Sequence, residues 1–168
     1  MSNRLRELIL LRHAKSDWKD SSLDDIDRPL SARGKKNANK MAEWINQNDL
    51  FPDLILASPA LRAQQTLRRI CNECETSIIT VNELYLADTT VLLKVLAEAP
   101  SAERIMLIGH NPGLEELLNL LTITKSGAQL FPTCALAHLV LPYDWTQIES
   151  GSAKLQRFIT PKQLKIHI

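Results

Sequence analysis

Leu8-Ile9-Leu10-Leu11-Arg12-His13-Ala14-Lys15-Ser16 is the stretch from which the fold follows. Four apolar residues end abruptly in an arginine and a histidine. A short apolar run bounded by polar residues reads as a buried strand. In an open α/β sheet, ligands collect just beyond the carboxyl ends of the strands. Arg12 and His13 therefore stand where chemistry is usually done. Arginine offers a rigid fork of donors matched to phosphate oxygens. Histidine serves as a nucleophile or as an acid/base near neutral pH. The same stretch also fits a strand that ends in two solvated polar residues, so the rest of the chain has to decide.

Two further stretches repeat the design. Arg104-Ile105-Met106-Leu107-Ile108-Gly109-His110-Asn111-Pro112-Gly113 is again an apolar strand running into a histidine, and Leu114, Leu117, Leu118 and Leu121 then follow helical spacing. Leu54-Ile55-Leu56-Ala57 runs into Ser58-Pro59-Ala60-Leu61-Arg62. Ser58 suits an N-cap and Pro59 the first helical position. Arg62 is then expected within about one turn of a helix N-terminus, an end that favours anions. If the three strands are parallel neighbours, Arg12, His13, Arg62 and His110 converge on a site for a dianionic phosphoryl group.

These residues carry a family resemblance. Leu11-Arg12-His13-Ala14, Ser58-Pro59-Ala60-Leu61-Arg62-Ala63-Gln64-Gln65-Thr66 and Gly109-His110-Asn111-Pro112 resemble the three motifs of the histidine phosphatase (phosphoglycerate mutase-like) superfamily. Arg-His-Ala-Lys-Ser together with Gly-His-Asn-Pro is similar to the small SixA-type branch of phosphohistidine phosphatases. The likeness extends through Leu30-Ser31-Ala32-Arg33-Gly34 and Pro132-Thr133-Cys134-Ala135-Leu136-Ala137, and so spans almost the whole chain.

Composition sets the outer bounds. A chain of 168 residues reads as one domain, 1–168. A net charge of +1 gives no bulk electrostatic case for a nucleic-acid or membrane partner. No apolar run approaches the roughly 18 residues of a membrane span, and no signal-peptide core is evident, so the expected compartment is the cytoplasm. Three cysteines argue against a disulfide framework. Cys71 and Cys74 form a Cys-x-x-Cys pair late in an expected helix. A zinc site would need more ligands, and they are read as small buried hydrophobes.

The remaining elements alternate. Residues 1–6 are polar and expected to fray. Lys15 to Pro29 is a long polar connection whose acidic residues, Asp17 to Asp27, read as solvated surface with no catalytic part. Trp18 is expected to pack that loop beside the site, flanked by Lys15 and Lys19. Ser31 caps a helix carrying Ala38, Met41 and Ile45 on one face. Ser77 to Val81 is a strand. Thr89 or Thr90 caps a helix that Pro100 ends. Ala135–Leu141 and Ala153–Ile159 are late strands. Alternation of this kind predicts a largely parallel sheet covered on both faces. The resemblance implies an α/β fold, a three-layer α/β/α sandwich around a mostly parallel, mixed sheet.

The resemblance also assigns roles. His13 attacks phosphorus and forms a phosphohistidine intermediate. Arg12 and Arg62 clamp the equatorial oxygens, and His110 donates to the same oxygens. The physical requirement is an unprotonated His13, which neighbouring guanidinium groups favour. Its second ring nitrogen is expected to donate to a backbone carbonyl. The general acid of larger relatives is a glutamate soon after the third strand, a place that Glu83 occupies; Asp88 is a weaker candidate. His138 and His167 receive no role. No metal or other cofactor is expected.

Two departures bear on substrate. Lys15 stands where mutases and general phosphatases of the superfamily carry glutamate. The interval 84–103 is too short for the helical lid domain of larger relatives. An open, lysine-rimmed pocket suits a phosphoryl group projecting from another protein. Three readings follow: a metal-independent phosphohistidine phosphatase acting on a partner protein, a phosphatase for small phosphate esters, and a phospho-binding module without turnover.

Overall fold

Strand β1, Arg6–Arg12, lies inside a six-stranded sheet, and its residues Leu8 to Leu11 are fully buried. The computed structural model describes residues 5–123, 128–142 and 144–164. Within them the other strands are β2 (Leu54–Ala57), β3 (Ser77–Thr80), β4 (Arg104–Gly109), β5 (Leu136–Leu141) and β6 (Lys154–Ile159). The order across the sheet is β3-β2-β4-β1-β5-β6. Strands β3, β2, β4 and β1 run parallel, while β5 is antiparallel to β1 and β6 to β5. The sheet is thus mixed and mostly parallel. Strands β2, β4 and β1 are direct neighbours, so all three motif-bearing exits open at one edge of the sheet.

Alternation along the strands separates two apolar layers. Ile9, Leu11, Ile55, Ala57, Met106 and Ile108 face helices α1 (Ala32–Gln47) and α2 (Leu61–Ile70). Leu8, Leu10, Leu54, Leu56, Ile105 and Leu107 face α3 (Thr89–Ala97) and α4 (Gly113–Thr122). The result is a three-layer α/β/α sandwich. Each fully buried leucine or isoleucine contributes about 1.5–3 kcal/mol of transfer free energy. The interval 84–103 holds α3, whose Leu92 and Leu96 are buried in the second layer. That helix belongs to the sandwich and does not roof the strand exits. No helix among the described residues is long and apolar enough to cross a membrane.

Helix starts follow side-chain oxygens. Ser31 Oγ accepts the Gly34 N–H at 3.0 Å and caps α1. A Cβ on Gly34 would stand 2.1 Å from the Lys15 carbonyl oxygen, so glycine lets α1 lie against the loop leaving β1. Helix α3 is capped by Asp88, which accepts the Val91 N–H at 3.0 Å, and not by Thr89 or Thr90. Asp88 is one residue earlier, and its carboxylate reaches the orphan N–H groups of the first turn. Helix α2 begins at Leu61 with Ala60 as N-cap, two residues later than Ser58-Pro59 suggest. Ser58 Oγ still accepts the Ala60 N–H at 3.2 Å, closing a turn ahead of the helix.

Two of the cysteines expected to be free hydrophobes are paired. Cys71 and Cys74 are joined as a disulfide, with Cα atoms 5.1 Å apart. Helix α2 ends at Ile70, and the turn beyond it brings the two side chains together. Strand β1 starts at Arg6, inside the stretch expected to fray, while residues 1–4 and His167 lie outside the described residues.

Candidate active site

The exits of β1, β2 and β4 bring Arg12, His13, Arg62 and His110 to one hollow of about 550 Å3, which Lys15, Trp18 and Asp25 also line. His13 is held through its main chain on both sides. Its N–H donates to the Gly109 carbonyl at 3.1 Å, and its own carbonyl accepts from the Cys134 N–H at 3.1 Å. The imidazole is buried, and Nδ1 lies 2.7 Å from the Ala14 carbonyl oxygen. A carbonyl only accepts, so Nδ1 carries the proton and Nε2 presents its lone pair. Nε2 makes no hydrogen bond among the described residues.

The carbonyl partner expected for His13 is therefore that of the next residue, and it is itself anchored. The Ala14 N–H donates to Thr66 Oγ1 at 3.0 Å, and the Thr66 hydroxyl donates to the Arg62 carbonyl at 2.8 Å. Thr66 thus ties the strand exit carrying His13 to the first turn of α2 carrying Arg62.

Arg12 Nη1 donates to the Phe131 carbonyl at 3.0 Å. Arg62 is buried at 3% exposure; its Nη1 donates to the Asp25 carbonyl at 2.7 Å and its Nη2 to Asp25 Oδ2 at 3.0 Å. The Nε groups of Arg12 and Arg62 are both buried and without a partner. An unpartnered buried donor is costly, and both arginines line the hollow with His13.

His110 is the fourth member. Its ring centroid lies 5.1 Å from that of His13. Nε2 is 2.7 Å from Ser58 Oγ, and Nδ1 is 3.5 Å from Arg62 Nη2. Ser58 thus positions His110.

Burial sets the protonation states. It is the largest influence on His13, lowering its pKa from 6.5 to about 3, with His110, Arg62 and Arg12 adding smaller repulsions. The guanidinium groups act in the expected direction but are not the main cause. Burial, then Arg62, lowers His110 to about 4. Both rings are neutral near pH 7.

One carboxylate of the polar loop, expected to be plain solvated surface, is exposed but engaged in the site. Asp25, in the 3-10 turn Asp25–Asp27, contacts Arg28, Arg62 and the Tyr85 hydroxyl. The Tyr85 hydrogen bond is the foremost of the influences holding its carboxyl below the usual carboxylate range. Tyr85 stands edge-on to His110 with centroids 5.6 Å apart. The Arg28 guanidinium stacks on the Trp18 ring at 3.5 Å, while its Nη1 donates to Ser16 Oγ at 2.6 Å. The Lys15–Pro29 loop is thereby fastened over one side of the hollow. Lys15 lines the hollow; Lys19 does not.

Glu83 is not brought to this hollow. It sits in the 3-10 turn Asn82–Leu84 and lines a separate, largely apolar depression between β3 and α3, with Val91 and Lys94. What the third strand exit sends to the site is Tyr85, two residues on. His138 is structural, with Nε2 2.8 Å from Glu7 Oε1. No group of three or more histidine, cysteine, aspartate or glutamate side chains suited to a metal ion occurs among the described residues.

Comparison with known proteins follows the same lines. A family model described as the histidine phosphatase superfamily (branch 1) matches residues 8–85. A putative phosphohistidine phosphatase SixA from Agrobacterium tumefaciens superposes with a TM-score of 0.79 at 30% identity, covering 93% of this chain and 98% of that one. The chain belongs to the histidine phosphatase superfamily. An uncharacterized chloroplast protein of Arabidopsis thaliana is 36% identical over 174 residues, covering 93% of this chain and 78% of that protein. The phosphohistidine phosphatase SixA of Escherichia coli is 27% identical over 165 residues, covering 95% and 97%. Membership and the SixA-like neighbours make the protein a phosphatase.

Proposed function

We propose that this phosphatase removes phosphoryl groups from histidine of a partner protein, through a covalent intermediate on His13 and without a metal ion. The observation that carries the proposal is the neutral His13 ring, its Nε2 unbonded in a hollow shared with half-buried Arg12 and buried Arg62, whose Nε–H groups lack partners. Such donors suit the equatorial oxygens of a phosphoryl group held in line with Nε2. Binding alone would not require a nucleophile kept neutral by burial.

The chemistry balances on His13. Its Nε2 lone pair forms the bond to phosphorus while the bond from phosphorus to the substrate imidazole breaks. A phosphohistidine protonated at its distal nitrogen releases a neutral ring, so the leaving group needs no further proton. His13 keeps its Nδ1 proton throughout and becomes an imidazolium while phosphorylated. The Ala14 carbonyl then faces a fuller positive charge. Water attacks phosphorus in the second step, and His13 departs as the neutral ring it began as, with phosphate taking the oxygen.

His110 serves the oxyanion. Arg62 Nη2 can only donate, so in the free site His110 Nδ1 accepts from it at 3.5 Å and Nε2 donates to Ser58 Oγ at 2.7 Å. When a phosphoryl group takes the Arg62 donor, the Ser58 hydroxyl rotates to donate to Nε2, which leaves Nδ1–H for the oxyanion. The absence of Glu83 from the hollow fits a phosphoramidate better than an alkyl ester, because an alkoxide must be protonated as it leaves.

A protein substrate agrees with the open hollow, the packed position of α3 and the exposed Lys15 at the rim. The Escherichia coli relative carries the name of the same activity. The test compares kcat/KM on a phosphohistidine-bearing protein with that on sugar phosphates. A preference for the protein is expected; a preference for sugar phosphates overturns the assignment.

A further inference from the structure

Charge on this protein is segregated by layer. Helices α1 and α2 carry seven basic residues and one acidic residue, Glu43, although the chain as a whole holds 20 basic and 19 acidic residues. Helices α3 and α4 on the opposite face carry Lys94 against Glu115 and Glu116. Apart from buried Arg62, the α1–α2 cations are exposed or half-exposed. Between the two helices lies a second hollow of about 450 Å3, lined by Lys35, Asn39, Gln65, Arg68, Arg69 and Asn72. Every lining residue is polar, three are cationic and none is acidic.

This hollow abuts the rim of the active site. Gly34 packs against the Lys15 main chain, which sets Lys35 beside Lys15. Gln65 Oε1 accepts the Leu30 N–H at 2.7 Å, and Leu30 bridges to Ser16 in the loop leaving β1. Along α2, Arg69 lies seven residues beyond Arg62, about 10 Å down the axis at about 1.5 Å per residue. A macromolecule presenting a phosphoryl group at His13 can therefore lay its surface over the hollow at the same time.

We propose that the α1–α2 hollow docks an acidic segment of the protein that delivers the phosphoryl group; the proposal rests on the protein-substrate reading above. Three cations with amide donors among them and no competing carboxylate complement glutamate and aspartate side chains. The hollow contains no aromatic ring, and recognition of single-stranded nucleic acid relies on such rings for base stacking. The chemistry thus favours an acidic polypeptide over a nucleic acid. Docking of this kind acts mainly on encounter and register, and weakens as salt screens it.

The test uses the full chain and two fluorescein-labelled peptides, one with a run of glutamates and one with glutamines in their place, alongside an oligothymidylate of equal charge. Anisotropy at low salt is expected to show the glutamate peptide bound at least roughly fivefold more tightly than the glutamine peptide, a gap that closes as salt rises. The double variant Lys35→Glu with Arg68→Glu abolishes the preference while hydrolysing phosphoramidate as the parent does. The milder Lys35→Gln with Arg68→Gln carries the same comparison if the charge reversal disturbs folding. Equal binding of the two peptides, or a preference that survives in both variants, overturns the proposal. Tighter binding of the oligothymidylate, lost in the variants, assigns the hollow to nucleic acid instead. Phosphohistidine added to the glutamate peptide separates the two claims: binding without turnover refutes the substrate reading and leaves the docking surface standing.

Discussion

Asp25 grips Arg62 with both its main chain and its side chain, the carbonyl oxygen at 2.7 Å from Nη1 and Oδ2 at 3.0 Å from Nη2. The guanidinium is thus fixed before any substrate arrives, with its Nε–H unpartnered. Asp25 also places a carboxylate beside an oxyanion site, where it weakens anion affinity. Asp25→Asn is therefore expected to separate two quantities. Turnover should fall several-fold, because Arg62 loses a charge-assisted partner, while inhibition by inorganic phosphate becomes tighter. Weaker phosphate inhibition together with slower turnover would show that Asp25 matters only for folding the loop.

The arginine itself is expected to matter more. Arg62→Ala should lower kcat on phosphoramidate by about 10²–10³, the usual cost of one oxyanion donor. Steady-state rates measure this directly, and a loss below tenfold would remove Arg62 from the transition state.

Burial of two neutral imidazoles has a pH signature. His13 and His110 are lowered from 6.5 to about 3 and about 4. The unfolded chain binds protons at these positions as the pH falls below about 6.5, and the native protein does not. Their contribution to stability is therefore complete above pH 6.5 and is lost as the pH falls through about 4 for His110 and about 3 for His13. In the native protein, NMR titration of the two rings should show no midpoint between pH 5.5 and 8. A midpoint near 6.5 for His13 would contradict the burial argument.

Thr66 is a positioning residue. Thr66→Val keeps the shape but leaves the Ala14 N–H and the Arg62 carbonyl without their shared hydroxyl. A stability loss of about 1–3 kcal/mol is expected, with kcat down about tenfold, since near-attack geometry tolerates little displacement, and KM little changed. Thr66→Ser should restore most of kcat, which a packing role for the methyl group would not allow.

Much of this site was legible in the sequence because strand exits announce themselves. The apolar runs before Arg12-His13 and Gly109-His110 are short and end in polar residues, which favours buried strands, and the three exits are adjacent because β2, β4 and β1 pair directly. Asp25 was not legible. It is one acid among several in a polar loop, and only the folded path of that loop selects it to meet Arg62. Near the third strand, sequence pointed to Glu83, whereas the residue that meets His110 and Asp25 is Tyr85. The 3-10 turn Asn82–Leu84 sends Glu83 toward α3 and Tyr85 toward His110, a rotation that no periodicity encodes over so few residues. Ser58 was placed by its turn chemistry alone, whereas its contact with His110 spans 52 positions of sequence and depends on the sheet order.

Glu83→Gln follows from that rotation. It should leave phosphoramidate and aryl phosphate hydrolysis within about twofold of the parent, as expected for an exposed side chain outside the site. A selective loss on alkyl phosphates alone would return Glu83 to the role of general acid.

The account stands on His13 as the group that carries the phosphoryl. The most direct measurement is trapping with radiolabelled phosphoramidate, quenched in base, where phosphohistidine survives, and followed by peptide mapping. One label per chain is expected on the peptide containing His13, stable in base and lost in acid, and absent from His13→Ala, whose fold is otherwise intact. A label that persists in His13→Ala, or turnover by that variant at the parent rate, would contradict the account.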